Sequence, residues 1–213
     1  MVKTLSLSYP RTIHYSLIAP MIASPDRNLM SAEAYLVWEP TQEGRYEYWD
    51  GEVLAMSGGT RYHNRVSGNF FRLLDDALAD GPCEVYVVDI KVQVEPGKKY
   101  SYPDVVVTCD ERDVDAQVVQ FPCLIIEVIS PSTEAIDRGI KFAKYRRAAT
   151  LQEYILVQVE QPGVEIFRRN QQGQWVLSEY ALGEMLQLES VGVEIAIADL
   201  YRQVQFEAFE GDN

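Results

Sequence analysis

Asp104 and Glu127 are the two residues whose type and spacing most strongly indicate chemistry in this sequence. Asp104 follows Tyr-Pro and opens a short apolar stretch, and Glu127 lies inside the apolar run Cys-Leu-Ile-Ile-Glu-Val-Ile. If these segments are paired strands, both carboxylates converge at one edge of a sheet and repel each other unless a cation lies between them. Carboxylate oxygens are ligands that suit Mg²⁺ or Mn²⁺. We therefore expect a divalent metal at this pair, and a raised pKa for at least one carboxyl group when metal is absent.

A structural interpretation stays open for both acids. Asp104 can cap a turn, and Glu127 can pair with a nearby arginine. The second alternative is the weaker one, because an acid buried in an apolar strand is costly without a partner.

The segment after Glu127 is basic and can supply a catalytic lysine. From Arg138 to Arg147 there is no acid and there are five bases, Arg138, Lys141, Lys144, Arg146 and Arg147. Lys141 is four residues after Asp137 and therefore on the same helical face, which Lys144 and Tyr145 extend by a turn. A lysine near metal-bound carboxylates can hold or deprotonate water and neutralise charge on phosphate. Solvated surface residues are the alternative for all five, and we assign a catalytic role to Lys141 alone.

Residues upstream can complete the site. Glu47 lies in a hairpin strand and is a candidate third ligand for metal or water. His63 opens a long helix, where it can touch phosphate or assist proton transfer, and the flanking Arg61 and Arg65 are candidates for substrate binding. A histidine at a helix start is also commonly an exposed surface residue. The only other histidine is His14, which excludes a zinc site built from several histidines.

The elements that position these residues predict one α/β domain with a mixed sheet. Ser31 caps a short helix, Asp50-Gly51 turns a hairpin, and Thr60 caps the helix that bears His63. We predict this domain over residues 31–205, an N-terminal arm over 1–30 and a tail over 206–213. The remaining strands and helices are expected at Glu84–Val94, Asp104–Thr108, Leu124–Ile129, Asp137–Ala149 (helix), Glu153–Val159, Val164–Arg168, Trp175–Leu182 and Ala198–Arg202 (helix).

Composition limits the possible functions. The 213 residues carry a net charge of −13, which argues against a general nucleic-acid binder because phosphate is repelled at long range. The three cysteines, Cys83, Cys109 and Cys123, are far apart in sequence, which argues against a disulfide framework and favours a reducing compartment. No apolar run approaches the length of a membrane span. We expect a cytoplasmic protein.

The motifs, in their order, resemble those of the bacterial Uma family of restriction endonucleases, within the PD-(D/E)XK nuclease superfamily. The resemblance covers about residues 31–200. It is carried by Tyr-Glu-Tyr-Trp-Asp-Gly-Glu-Val, His63, Tyr-Pro-Asp-Val, Ile-Glu-Val-Ile-Ser-Pro-Ser-Thr, Asp137, Lys141, Tyr145 and Glu-Tyr-Ile-Leu-Val.

This resemblance implies a restriction-endonuclease-like core, a mixed central sheet flanked by helices, with a divalent metal at the strand ends. Asp104 matches the Asp of the Pro-Asp motif, Glu127 the second acid and Glu47 the upstream acid. The superfamily pattern has a lysine two residues after the second acid, where this sequence has Ile129. The lysine of this family is shifted to the following helix, which points to Lys141.

Three functions remain after this step. The first is a Mg²⁺- or Mn²⁺-dependent nuclease acting on DNA more than RNA, in which a homodimer cuts both strands and residues 12–23 offer a docking segment. The second is a non-catalytic binding or regulatory module on a nuclease-like scaffold, and the third is a hydrolase of a smaller phosphorylated substrate. The net charge favours the second and third functions, whereas the acid-acid-lysine set favours the first.

Overall fold

The structure is a computed structural model that describes residues 29–56, 58–130 and 134–206. Most of the predicted arm, including residues 12–23, and residues 207–213 of the predicted tail lie outside these ranges. The helices are α1 (Ala32–Trp38), α2 (Arg61–Leu78), α3 (Phe142–Tyr145) and α4 (Ile197–Leu200), with a 3₁₀ turn at Glu39–Thr41 and a π-helical segment at Ile136–Lys141.

The strands form three sheets within the described residues. A six-stranded sheet has the order β11-β10-β9-β8-β6-β3, and its strands are antiparallel except for the parallel pair β8–β9. It consists of β3 (Glu84–Val87), β6 (Val105–Thr108), β8 (Pro122–Ile129), β9 (Glu153–Gln158), β10 (Val164–Arg169) and β11 (Trp175–Tyr180).

The second sheet has five strands in the order β2-β1-β5-β4-β7, and the third is a hairpin of β12 and β13. Their bounds are β1 (Tyr46–Trp49), β2 (Glu52–Ala55), β4 (Lys91–Glu95), β5 (Lys99–Ser101), β7 (Val118–Val119), β12 (Met185–Leu188) and β13 (Val193–Ala196).

Helices cover both faces of the six-stranded sheet. On one face α2 packs Val66, Phe70 and Leu74, which are fully buried, against β6 and β8. On the other face α3 packs through the buried Tyr145, whose ring lies tilted against that of Tyr154 of β9 with ring centres 5.4 Å apart. This arrangement confirms the predicted α/β class, a mixed sheet flanked by helices. None of the helices in the described ranges has both the length and the apolarity needed to cross a bilayer.

The predicted helix caps and the predicted hairpin turn are present at the expected residues. The Ser31 hydroxyl accepts a hydrogen bond from the Ala34 backbone N–H at the start of α1, and Thr60 accepts one from the His63 N–H at the start of α2. Asp50 and Gly51 adopt positive φ angles of 50° and 101° between β1 and β2. That backbone conformation is the one an Asp-Gly hairpin turn requires.

The prediction of a single strand over Glu84–Val94 is wrong. Val88 and Asp89 have positive φ angles of 42° and 56°, which break the extended chain. β3 consequently pairs with β6 in the six-stranded sheet, while β4 belongs to the five-stranded sheet. The helix predicted over Asp137–Ala149 also ends earlier, at Tyr145.

The expectation of unpaired cysteines is also wrong, because the antiparallel pairing of β3 and β6 brings two of them together. Glu84 pairs with Thr108, so Cys83 and Cys109 are opposite each other, with Cα atoms 4.0 Å apart, and form a disulfide. The Cys123 thiol lies 3.6 Å from the Cys109 sulfur. The argument for a reducing compartment from cysteine spacing therefore no longer holds.

We expect reduction of the Cys83–Cys109 disulfide to lower the free energy of unfolding by about 3 kcal/mol, because the crosslink restricts the unfolded chain. Guanidinium unfolding with and without a reductant measures this difference. The Cys83→Ser/Cys109→Ser double variant should unfold at one midpoint in both buffers, like the reduced protein. Identical midpoints for oxidised and reduced wild-type protein would contradict the prediction.

Candidate active site

Strand pairing places Asp104 beside the backbone that carries Glu127. Asp104 immediately precedes β6, and β6 pairs antiparallel with β8 so that Val105 is opposite Ile126. Asp104 Oδ2 accepts a hydrogen bond of 2.7 Å from the backbone N–H of Val128. The two acids are therefore at the same end of the sheet, which the expected active site requires.

The π-helical segment presents Lys141 to two acids. Lys141 Nζ lies 3.2 Å from Glu127 Oε1 and 3.2 Å from Asp137 Oδ1. The hydroxyl of Tyr145, one turn further on, donates a hydrogen bond of 2.9 Å to the same Glu127 oxygen. The Tyr154 hydroxyl donates to the Asp137 backbone carbonyl and ties this segment to β9. Short π-helical stretches are frequent at functional sites.

Glu47 approaches the same cluster from β1 of the other sheet. Its carboxylate is buried, and Oε1 accepts a hydrogen bond of 3.3 Å from the backbone N–H of Tyr102, two residues before Asp104. Burial raises the pKa of Glu47, and the positive charge of Lys141 opposes that rise. Glu47 is thus a buried wall of the cluster.

His63 contacts Asp104 from the first turn of α2. Its Nε2 lies 3.1 Å from Asp104 Oδ2. Burial alone would lower the pKa of His63, but the hydrogen bond and charge of Asp104 outweigh it, so the pKa is raised. The imidazole is therefore held as a cation more readily than a free histidine.

Burial is the largest cause of the unusual proton affinity at Glu127. It raises the pKa of Glu127 to about 8, with further increases from Asp104, Asp137 and Glu47, while Lys141 opposes them. A raised carboxyl pKa was expected from mutual repulsion, which is present but is not the main cause. Burial would lower the pKa of Lys141, but these four acids outweigh it and raise the pKa.

The donor chemistry fits a divalent ion held by few protein ligands. Four carboxyl groups surround one lysine and one histidine, so acidic groups outnumber basic groups in a largely buried cluster. Among the described residues, no three His, Cys, Asp or Glu side chains form a ready-made metal cage. Mg²⁺ commonly takes one or two carboxylates and completes its shell with water and substrate phosphate. Asp104 and Glu127 meet that requirement.

The predicted site residues divide into two groups. The cluster unites Glu47, Asp104, Glu127, Lys141 and His63. Arg61 and Arg65 are exposed on α2 and have no contact with the cluster that would bear out their assignment to substrate binding.

Two members of the cluster were not assigned a role from the sequence. Asp137 and Tyr145 are both buried, and both contact the Glu127–Lys141 pair. Their spacing of four residues on either side of Lys141 was the available signal, since it places all three on one helical face. Lys144 was assigned to the solvated surface, but its ammonium lies 3.0 Å from the centre of the Trp49 ring. Burial lowers the pKa of Lys144 to about 8.

Comparison with known proteins gives concordant matches. The model of the Uma2 family, described as "Putative restriction endonuclease", matches residues 32–198. The chain is 39% identical over 178 residues to the uncharacterized protein slr1290 of Synechocystis sp., covering 83% of this chain and 94% of that protein. It is 32% identical over 172 residues to sll1609 of the same organism, covering 79% and 97%.

Comparison with solved structures also shows the fold. One match is the crystal structure of a protein from Anabaena variabilis described as a "putative nuclease", which superposes with a TM-score of 0.68 at 14% sequence identity. The match covers 83% of this chain and 99% of that one.

We expect the Glu127→Gln variant without metal to gain thermal stability over wild type as the pH rises from about 5 to 8. The folded protein keeps the Glu127 proton up to a pKa of about 8, whereas the unfolded chain releases it near 4.5, so wild-type stability falls across this interval. Glutamine does not titrate. The melting temperatures of the two proteins, measured in EDTA, should diverge by several degrees, since 1 kcal/mol corresponds to about 2–4 °C at this size.

The exposed Glu179 of β11 provides the matched control, and Glu179→Gln should change the melting temperature little at any pH. Parallel pH profiles for wild type and Glu127→Gln would contradict the prediction.

Proposed function

Since the chain belongs to the Uma2 family, we propose that it is a metal-dependent endonuclease that hydrolyses phosphodiester bonds of nucleic acid, DNA more than RNA. The observation that carries this proposal is the convergence of Glu47, Asp104, Glu127 and Asp137 on Lys141. A buried excess of carboxylates is costly unless a cation offsets it. A divalent ion is the cation that also serves phosphodiester hydrolysis.

Asp104 and Glu127 are the proposed ligands of Mg²⁺ or Mn²⁺. When bound there, the ion would supply the charge that polarises a phosphodiester and lowers the pKa of water. His63 donates to Asp104 Oδ2 and the Tyr145 hydroxyl donates to Glu127 Oε1, so both ligands are oriented by hydrogen bonds from the chain. Such outer partners commonly fix the direction of ligating carboxylates.

Lys141 is proposed to stabilise charge on the phosphate and to hold the attacking water. Its raised pKa keeps the ammonium protonated at neutral pH, which favours hydrogen-bond donation over proton abstraction. Asp137 also binds the ammonium, by an ion pair of 3.2 Å. The lysine therefore stays aimed at the carboxylate pair.

The net charge of −13 favours a second candidate, a non-catalytic module that binds a basic partner on a nuclease-like scaffold. A hydrolase of a smaller phosphorylated substrate would use the same cluster. Metal binding separates the module from both enzymes, and assays on DNA, RNA and small phosphate esters separate the two enzymes.

We expect Asp104→Asn to abolish both metal-dependent cleavage and the stabilisation by Mg²⁺ or Mn²⁺. The substitution removes charge but keeps an oxygen that can accept from Val128 and His63, so the fold should survive. A ligand at 100 times its dissociation constant stabilises by about 2.7 kcal/mol, which thermal unfolding detects. Asp110→Asn, at the other end of β6, is the matched control. A full metal response in Asp104→Asn would favour the binding module.

Lys141→Gln should lower the cleavage rate about 10²–10³-fold while preserving stabilisation by metal, because it removes a charged donor and leaves both ligands. Plasmid and RNA cleavage over time provides the measurement. Lys98→Gln, on the exposed turn between β4 and β5, should cut at the wild-type rate. Unchanged cleavage by Lys141→Gln would exclude the proposed role.

A nuclease that cuts both strands usually needs two active sites, so we propose that the chain acts as a homodimer. Light scattering at micromolar concentration should give twice the 24.2 kDa mass of the chain. A monomer mass would overturn this proposal without affecting the chemistry of one site.

A further inference from the structure

A cavity of about 350 Å³ lies between the outer face of α2 and the turn after α4. Three arginines line it, Arg65 and Arg72 from α2 and Arg202 from the turn, and we call this cavity the arginine pocket. Its other lining residues are neutral, and no acidic residue lines it among those the structure describes. A positive cavity of this kind is unexpected in a chain with a net charge of −13.

Helical spacing produces one wall of the pocket. Arg61, Arg65, Gly68 and Arg72 are separated by four, three and four residues, so they lie along one face of α2, and all four are exposed. α2 contains no acid before Asp75. Asp76 pairs with Arg72 at 3.3 Å, but both side chains are exposed, and such pairs are weak in water. Arg72 is therefore available to a stronger anion.

Specific hydrogen bonds hold the opposite wall. The buried Asn69 donates through Nδ2 to the backbone carbonyls of Leu200, at 2.8 Å, and Arg202, at 3.0 Å. Gln203, which also lines the pocket, has a positive φ of 65°, a conformation uncommon for a residue with a side chain. Asn69 thus fixes a sharp turn that sets Arg202 across from Arg65 and Arg72.

We propose that the arginine pocket binds phosphodiester groups of the nucleic-acid backbone beside the cleaved bond, an inference that rests on the proposed nuclease function. α2 connects the arginine pocket with the proposed active site, because His63 in its first turn contacts Asp104. Arg65 and Arg72 are about 10 Å apart along the helix axis, which accommodates more than one phosphate of a strand at about 3.4 Å per charge.

The chemistry of the lining selects the backbone rather than a base. Guanidinium groups match phosphate oxygens through paired hydrogen bonds. The lining has no aromatic or aliphatic side chain on which a base could stack. Contacts of this type position a nucleic acid without reading its sequence. The pocket also offers local positive charge that offsets the long-range repulsion by the acidic protein.

Gly68 allows a test that leaves the arginines in place. Gly68 is exposed, and a Cβ added there meets no atom within 4 Å, so the first carbon of a substituted side chain has open space around it. Gly68→Glu places a carboxylate among the three guanidiniums, and Gly68→Gln has the same shape without the charge. Both variants replace a helical glycine, so their melting temperatures should equal or exceed that of wild type.

Binding of a dye-labelled DNA duplex is measured by fluorescence anisotropy in EDTA over a range of salt concentrations. One phosphate contact is worth about tenfold in affinity near 0.1 M salt, and its loss reduces the slope of log K against log salt by about 0.9. Gly68→Glu should therefore bind about tenfold more weakly than Gly68→Gln, with a shallower slope. Arg72→Gln and Arg202→Gln should each show the same loss, and Arg112→Gln, beyond the far end of β6, should not.

Cleavage assays separate this proposal from the proposed function. If Gly68→Glu weakens DNA binding but wild-type protein cuts nothing in Mg²⁺ or Mn²⁺, the pocket is upheld and the nuclease is not. If wild-type protein cuts DNA, and Gly68→Glu binds and cuts like Gly68→Gln, the pocket proposal is overturned and the nuclease stands. If calorimetry shows that inorganic phosphate binds in the pocket while DNA binding is unaffected by Gly68→Glu, a small phosphorylated molecule is the occupant, which also overturns it.

Discussion

The sharing of Lys141 among buried carboxylates is the interaction on which the arrangement of this molecule depends. Its ammonium lies 3.2 Å from both Glu127 and Asp137, and its charge opposes the rise that burial causes in the pKa of Glu47, which comes from the other sheet. Without this charge, three buried acids would face one another in a medium that solvates them poorly. The position of the π-helical segment over the ends of β6 and β8 is therefore constrained by electrostatics as well as by apolar packing.

The site lies where the two larger sheets meet. Tyr102 follows β5 of one sheet and precedes β6 of the other by three residues, and its backbone N–H binds Glu47. The same short connection carries Asp104, which accepts hydrogen bonds from Val128 and His63. One segment of chain thus binds Glu47 of one sheet, the Val128 backbone beside Glu127 in the other sheet, and His63 of α2.

The distribution of charge bears on how so acidic a protein could bind the phosphodiester substrate proposed for it. Eleven acidic and three basic residues lie between Thr150 and Asn213, so much of the negative charge is in the last third of the chain. The outer face of α2 has the opposite sign over three turns, and only Arg202 of the last third joins it. Net charge governs repulsion at long range, whereas local arginines govern contact. Repulsion by the net charge and attraction by the arginines therefore act at different distances.

The sequence determined the fold class, the hairpin at Asp50-Gly51 and the capped helices, because these depend on periodicity and on side chains within a few residues of one another. It also indicated Asp104, Glu127 and Lys141 as site residues. An acid in an apolar strand costs free energy unless a cation lies beside it, and the basic segment that follows can supply one. The register of strand pairing determined contacts that local sequence patterns do not specify. It broke the run over Glu84–Val94 at two residues with positive φ, paired Cys83 with Cys109, and placed the Tyr145 hydroxyl on Glu127. Only tertiary structure sets such contacts, because they join residues that are distant in the chain.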